Sequence, residues 1–161
     1  MKKIYIFLRN KKYIIPNRKN IEEIYLYGSY ARGENDKFSD LDIFILCKNK
    51  KKINKKFLAK KLKIKEKWIS VYTRETINKF FEEGSLFLWH LKNEGVILYS
   101  KKNELSEKLR KLDYYKKVKF NLLQYKEILE DVKLSFQNDL KINGYELNLL
   151  AVILRNTAIL H

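Results

Sequence analysis

The sequence predicts an α+β fold in two parts: a strand-containing domain over residues 1–100 and a helical segment over residues 101–161. Three observations predict it. Short apolar runs rich in Ile, Tyr and Val recur between polar breaks as far as Tyr99, at strand length rather than helix length. Stretches with helical spacing separate several of these runs. From Leu105 to Phe136 apolar residues then recur every three or four positions, and the segment after Asn143-Gly144 is apolar on nearly all sides until Arg155. With 161 residues, 45% of them hydrophobic and 34% charged, the chain suits one ordinary domain or one domain with a helical extension.

Residues 3–8 and 12–15 read as two short strands, a hairpin around Asn10-Lys11, closed by Pro16 and Asn17. Residues 21–27 form a strand running into Gly28, and residues 29–33 the first turn of a short helix. After the polar loop 34–37, residues 41–47 form a strongly apolar strand. Residues 48–67 contain eleven lysines, with Ile53, Phe57, Leu58 and Leu62 at roughly helical spacing. They read as an amphipathic helix whose lysine face is solvated. Residues 68–73 are a strand and 76–83 a short helix stopped by Gly84. Residues 86–92 are helical, and 96–99 are a last strand. One long amphipathic helix covers 105–136 and ends at Asn143-Gly144. A second helix covers 145–161, and its apolar surface suggests burial against a partner.

The net charge is +16, from 35 Lys and Arg against 19 Asp and Glu. A field of that sign attracts polyanions. The same crowding of Lys, Ile, Asn and Tyr is what a strongly AT-rich genome produces without selection for binding. No apolar run approaches the ~20 residues that cross a bilayer, so no membrane association is expected. The first eight residues start like a signal peptide, but Arg9-Asn10-Lys11-Lys12 closes the run too early. The single cysteine, Cys47, forms no internal disulfide, which fits a reducing, cytoplasmic setting.

The chemistry concentrates in Gly28-Ser29-Tyr30-Ala31-Arg32-Gly33 and, shortly after, Ser39-Asp40-Leu41-Asp42-Ile43. Gly28 lets the backbone approach a phosphate closely. Ser29 follows at a strand-to-helix junction, where its hydroxyl and the free amides of the helix start bind phosphate oxygens. Arg32 adds a charge within reach of a triphosphate, and Gly33 turns the chain away. Asp40 and Asp42 alternate with Leu41, so both carboxylates point to one face while Leu41 and Ile43 face the core. Two carboxylates beside a phosphate cradle suit Mg²⁺ bridging protein and triphosphate. Ser39 caps or orients the acidic pair. A lone Gly-Ser is a turn and a lone Asp-x-Asp a solvated strand edge; their order, short separation and flanking strands carry the reading.

This pair of motifs resembles the signature of the DNA polymerase β-like nucleotidyltransferase superfamily, and most of all its minimal nucleotidyltransferases, over about residues 20–100. The resemblance implies a small mixed β-sheet flanked by helices. It implies Mg²⁺-dependent transfer of a nucleoside monophosphate from an NTP to a hydroxyl, with Gly28 and Ser29 on the triphosphate and Asp40 and Asp42 as catalytic metal ligands. The family commonly carries a third carboxylate on a later strand. Here that strand is 68–73 and the position is Ser70; no Asp occurs between Asp42 and Asp113. Glu66 substitutes if the strand begins early, and Glu75 is a second candidate on a loop. Minimal nucleotidyltransferases often pair with helical HEPN-type RNases in toxin–antitoxin systems. Arg155 to His161 is similar to the Arg–polar–spacer–His motif of those RNases, but its companion helices are mostly missing, and no RNase activity is assigned.

The sequence thus supports a nucleotidyltransferase whose acceptor is RNA or protein, the lysine-rich surface favouring RNA. The alternative is a catalytically weakened nucleotidyltransferase fold, antitoxin-like, that acts by contact with a partner. In that case the C-terminal helices bind a helical partner or a second copy. A plain RNA-binding domain ranks last, because two aspartates in a basic site repel phosphate unless metal neutralises them. Cys47 reads as core. His90 lacks a companion ligand for zinc. Trp68, Trp89 and the Tyr residues are able to stack bases, but at these periodic positions they read as core.

Overall fold

A computed structural model describes residues 3–16, 19–37, 39–112, 115 and 117–160. The chain divides into two compact units, Met1–Leu112 and Asp113–His161. The first is built on a four-stranded mixed sheet with helices, as the resemblance implies. Its strands are β1 (Ile4–Leu8), β2 (Lys11–Ile15), β3 (Ile21–Tyr27), β4 (Asp42–Cys47), β5 (Ile69–Thr73) and β6 (Val96–Ser100). Its helices are α1 (Ser29–Arg32), α2 (Lys55–Leu62), α3 (Arg74–Glu83), α4 (Leu86–Glu94) and α5 (Glu104–Arg110). The sheet runs β5-β4-β3-β6, antiparallel except for the β4–β5 pair, and β1 and β2 form a separate hairpin.

Two apolar clusters lie on the two faces of the sheet. One joins Ile24, Ile43, Ile45 and Val71 of the sheet to Ile4, Ile6 and Leu8 of the hairpin and Leu58 and Leu62 of α2. The other joins Tyr25, Phe44 and Leu46 to Ile77 of α3, Leu88 and Leu91 of α4, and Leu105 and Leu109 of α5. Strand alternation accounts for β4: Ile43, Ile45 and Cys47 go one way, Phe44 and Leu46 the other. In β3 a bulge between Ile21 and Glu23 breaks the alternation. Ile21 and Ile24 therefore face one cluster although three residues apart. The bulge also leaves two carboxylates buried. Glu22 accepts from Arg74 Nε at 2.6 Å; Glu23 accepts from the Tyr25 hydroxyl at 2.6 Å and the Leu105 amide at 3.0 Å. Burial, reinforced by Glu23, pushes the Tyr25 hydroxyl far above its ordinary range.

The hairpin turns on Arg9 and Asn10, one residue earlier than expected. Both have positive φ, 49° and 58°, the conformation of a two-residue primed turn whose twist matches the strands.

Two helical expectations need correction. The lysine block is not one helix: Lys50–Lys52 and Glu66–Trp68 are 3-10 turns, and only α2 between them is α-helical. Asn49 and Asn54 divide the block, their side chains accepting from the Lys51 amide at 3.0 Å and the Phe57 amide at 2.8 Å. Lys63, left-handed at φ 56°, ends α2, and Phe57 is exposed.

The long helix over 105–136 is likewise two, α5 and α6 (Val118–Asp139). At 100° per residue, Leu105, Leu109 and Leu112 sit about 150° round the axis from Val118, Leu122, Tyr125 and Val132. A single straight helix cannot turn both groups inward. α5 sends its group into the core of the first unit.

In the second unit α6 is followed by α7 (Gly144–Leu160). Asn143-Gly144 does not end α6; Leu140 does, in a left-handed conformation. Asn143 starts α7 with a reciprocal capping box: its side chain accepts from the Glu146 amide at 3.0 Å, and the Glu146 carboxylate accepts from the Asn143 amide at 2.8 Å. Val132 and Ile153 are buried and Asn156 Nδ2 donates to the Tyr125 hydroxyl at 3.0 Å, while Leu134, Leu140, Leu147 and Leu154 stay more than half exposed. Arg155 lies in α7 and is exposed; His161 lies outside the described residues. Among the described residues no helix is long and apolar enough to cross a membrane.

Candidate active site

The end of β3 and the start of β4 bring the two motifs together. Tyr27 and Asp42 stand opposite each other across the antiparallel pair, so the residue after Tyr27 lies beside the Asp42 side chain. That residue is Gly28, with φ 77° and ψ −161°, a conformation essentially confined to glycine. An ideal Cβ there would lie 2.8 Å from Asp42 Oδ2. From Gly28 the chain enters α1: the Gly28 carbonyl accepts from the Ala31 amide at 3.0 Å and the Arg32 amide at 3.3 Å. The Ser29 and Tyr30 amides precede the first bond of the helix and have no acceptor within it. Gly33, left-handed at φ 74°, closes the turn.

Leu41 and Ile43 are buried in the core and Asp42 between them is half-buried. Asp40, two residues ahead, is exposed. Ser39 is engaged elsewhere: its hydroxyl donates to Asp36 Oδ1 at 2.7 Å and accepts from the Asp36 amide at 2.9 Å. It thus fastens the polar turn that leads into β4.

Arg32 is held by two carboxylates. Its Nε donates to Glu34 Oε2 at 2.6 Å, and its Nη1 donates to Glu94 Oε2 at the end of α4. These bonds, that to Glu34 first, raise the guanidinium further above its usual range. His90, one turn back on α4, places Nδ1 3.3 Å from Glu94 Oε1. Burial works to raise Glu94, but the bonds from His90 and Arg32 together outweigh it and hold the carboxyl below its usual range.

Ser70 of β5 is level with Phe44 of β4, on the face that also carries Asp42. Its Oγ is 3.3 Å from the Tyr27 hydroxyl. Glu66 lies in an exposed 3-10 turn before β5 begins at Ile69, so it does not share the Ser70 face of that strand. Glu75 is in the first turn of α3, not on a loop, with Lys79 Nζ at 3.6 Å. Among the described residues no group of three or more His, Cys, Asp or Glu is arranged to hold a metal. A hard cation held by one or two protein carboxylates ordinarily completes its shell with water and substrate phosphates.

The unit that carries these aspartates is strongly positive as a whole. Residues 1–112 hold 28 Lys and Arg against 13 Asp and Glu. Cys47 is fully buried, and desolvation pushes its thiol up, which makes it inert. Tyr27, Glu34 and Glu94 escaped the sequence reading. Tyr27 is signalled only by preceding Gly28. Glu94 lies 62 residues from Arg32 with no local pattern to connect them.

The family described as Polymerase beta, Nucleotidyltransferase matches residues 10–104. Among solved structures, one described as the crystal structure of the toxin-antitoxin with AMP-PNP is similar at 16% identity and TM-score 0.39, over 79% of this chain and 90% of that one. A mutant of the toxin-antitoxin MntA-HpeT is similar at 16% identity and TM-score 0.41, over 73% of this chain and 90% of that one. No curated protein matches the chain in sequence.

Proposed function

The chain belongs to the polymerase β nucleotidyltransferase family, and on that premise we propose that it transfers a nucleoside monophosphate from an NTP to a hydroxyl acceptor. The observation that carries this reading is the close packing of Asp42 on Gly28, which brings the glycine turn and a carboxylate to one place. Gly28 and Ser29 hold the triphosphate through backbone amides and the Ser29 hydroxyl. Asp40 and Asp42 hold Mg²⁺, which when bound neutralises the phosphates and stabilises the attacking and leaving oxygens. The two acids and the triphosphate oxygens together make a donor set that neither makes alone.

Arg32 reaches the triphosphate by exchanging Glu34 and Glu94 for phosphate oxygens, which makes the two glutamates its place-holders. Ser39 positions the acids indirectly, through the Asp36 turn. Ser70 lies where the family resemblance puts a third carboxylate. It accepts no proton at neutral pH, so the acceptor hydroxyl lacks an obvious base, and transfer is slow relative to a three-acid site. The acceptor is RNA or a protein side-chain hydroxyl, and the setting is cytoplasmic.

The test is incubation with α-phosphate-labelled NTPs, Mg²⁺, cell RNA and cell protein, beside Asp42→Ala. Label in either fraction with the wild type alone supports transfer and identifies the acceptor class. Equal label with Asp42→Ala overturns it. A second reading has one observation in its favour, the exposed leucines of α6 and α7. In it the chain is an antitoxin-like module that neutralises a helical partner, or pairs with a second copy, by contact. Co-purification with a partner unaffected by Asp40→Ala supports that reading.

A further inference from the structure

The outward face of the β1–β2 hairpin carries groups the fold does not use. Alternation buries Ile4, Ile6 and Leu8 and turns Tyr5 and Phe7 outward, 44% and 66% exposed. The register sets Ile14 opposite Tyr5 and Lys12 opposite Phe7, all on that face. Lys12 Nζ lies 4.3 Å from the centre of the Tyr5 ring, and Lys3 and Arg9 are exposed near it. Seven Lys and Arg fall in the first 21 residues, and the first acid is Glu22. Two aromatic rings about 7 Å apart along a strand thus stand among cations, on a hairpin with no acid of its own.

We infer that this hairpin face binds single-stranded nucleic acid, Tyr5 and Phe7 stacking on unpaired bases while Lys3 and Lys12 meet the phosphates. Every base offers a π-face, and sheet-mounted aromatics flanked by lysines recognise single strands in this way. A duplex hides those base faces. A protein partner fits less well, because interface centres are depleted in lysine, and here a lysine covers one of the two rings. Charge complementarity points the same way: the face has cations and no acid of its own hairpin to neutralise them.

The hairpin tip also fixes where the bound strand leads. Arg9 donates to the Tyr30 hydroxyl at 3.2 Å and stacks 5.0 Å from the centre of that ring. Tyr30 belongs to α1, which begins next to Gly28. The platform therefore ends beside the candidate triphosphate turn. Binding there stands whether or not transfer occurs, since it uses none of the proposed catalytic residues.

The test is fluorescence anisotropy of the full chain with a labelled 12-nucleotide oligo(U), against a 12-base-pair RNA duplex and against anionic phosphatidylserine vesicles as competitor. The expected result is preference for the single strand, about tenfold weaker binding for each of Tyr5→Ser and Phe7→Ser, and a shallower salt dependence for Lys3→Gln/Lys12→Gln. Both rings point to solvent, and an unchanged unfolding midpoint for each variant checks that the fold is intact. Four results overturn the inference: no oligo(U) binding, equal affinity for the duplex, ring variants that bind like the wild type, or vesicle binding that needs the rings and displaces the RNA. The last assigns the face to a membrane surface instead.

Discussion

Gly28 and Asp42 are packed so closely that one added methyl group on the glycine would overlap the carboxylate, 2.8 Å from its Oδ2. The backbone forbids that methyl independently, since φ 77° with ψ −161° disfavours any side chain. Gly28→Ala should therefore cost about 1–3 kcal/mol of stability and displace the Asp42 carboxylate. Urea unfolding reads the first effect. Loss of Mg²⁺-dependent NTP binding, measured by calorimetry, reads the second.

Substitutions at Asp42 and Ser70 should move the transfer rate in opposite directions. Asp42→Asn keeps the shape but halves the acid pair, and a lost metal contribution of several kcal/mol lowers turnover on the order of a thousandfold. Ser70→Asp places a carboxylate on the Asp42 face beside Tyr27, and a general base there should raise turnover by about a hundredfold. Single-turnover assays with labelled NTP compare both with the wild type. A Ser70→Asp protein no faster than its parent would remove position 70 from the reaction.

Acid should weaken the first unit through Glu94. Its pKa in the folded chain is held below the ordinary carboxylate value. Its stabilising contribution is therefore complete above the ordinary range and is lost as pH falls through the depressed folded value. Urea midpoints from about pH 6 to about pH 3 should fall for the wild type and fall less steeply for Glu94→Gln. The half-buried Glu104, also lowered, chiefly by its bond from Arg74, remains in both proteins.

The capping box at Asn143 governs the second unit. Asn143→Ala removes the acceptor for the Tyr145 and Glu146 amides and should cost about 1 kcal/mol. The loss should appear as lower helicity and earlier thermal unfolding of α7, with the first unit unaffected.

Much of the fold was legible because strand signals are local. Residues 21–27 and 41–47 alternate or run apolar between polar breaks, and β3 and β4 lie there. Gly84 marked the end of α3 because a left-handed terminus has a residue preference. The break between α5 and α6 was in the sequence too, in three successive spacings of three from Leu109 to Val118 that rotate the apolar face. A count of three-or-four recurrence overlooks that drift. Asn143-Gly144 is ambiguous by nature, since the pair serves a helix end and a helix start alike. The site's motifs could be read because Gly28 and Asp42 belong to strands paired by a short connection. The Glu94 contact with Arg32 and the Ser70 contact with Tyr27 join distant segments, and nothing local records them.

The uneven division of charge makes ionic strength a structural variable for the larger unit of this chain. The second unit is nearly neutral, with seven Lys and Arg against six Asp and Glu; the first holds the rest of the excess. Repulsion within the first unit opposes its compaction, and dissolved salt screens that repulsion over about 10 Å. Any polyanion that settles on it relieves the same repulsion and so favours the folded form by mass action. For this unit, occupancy by an anion and folding are two readings of one equilibrium.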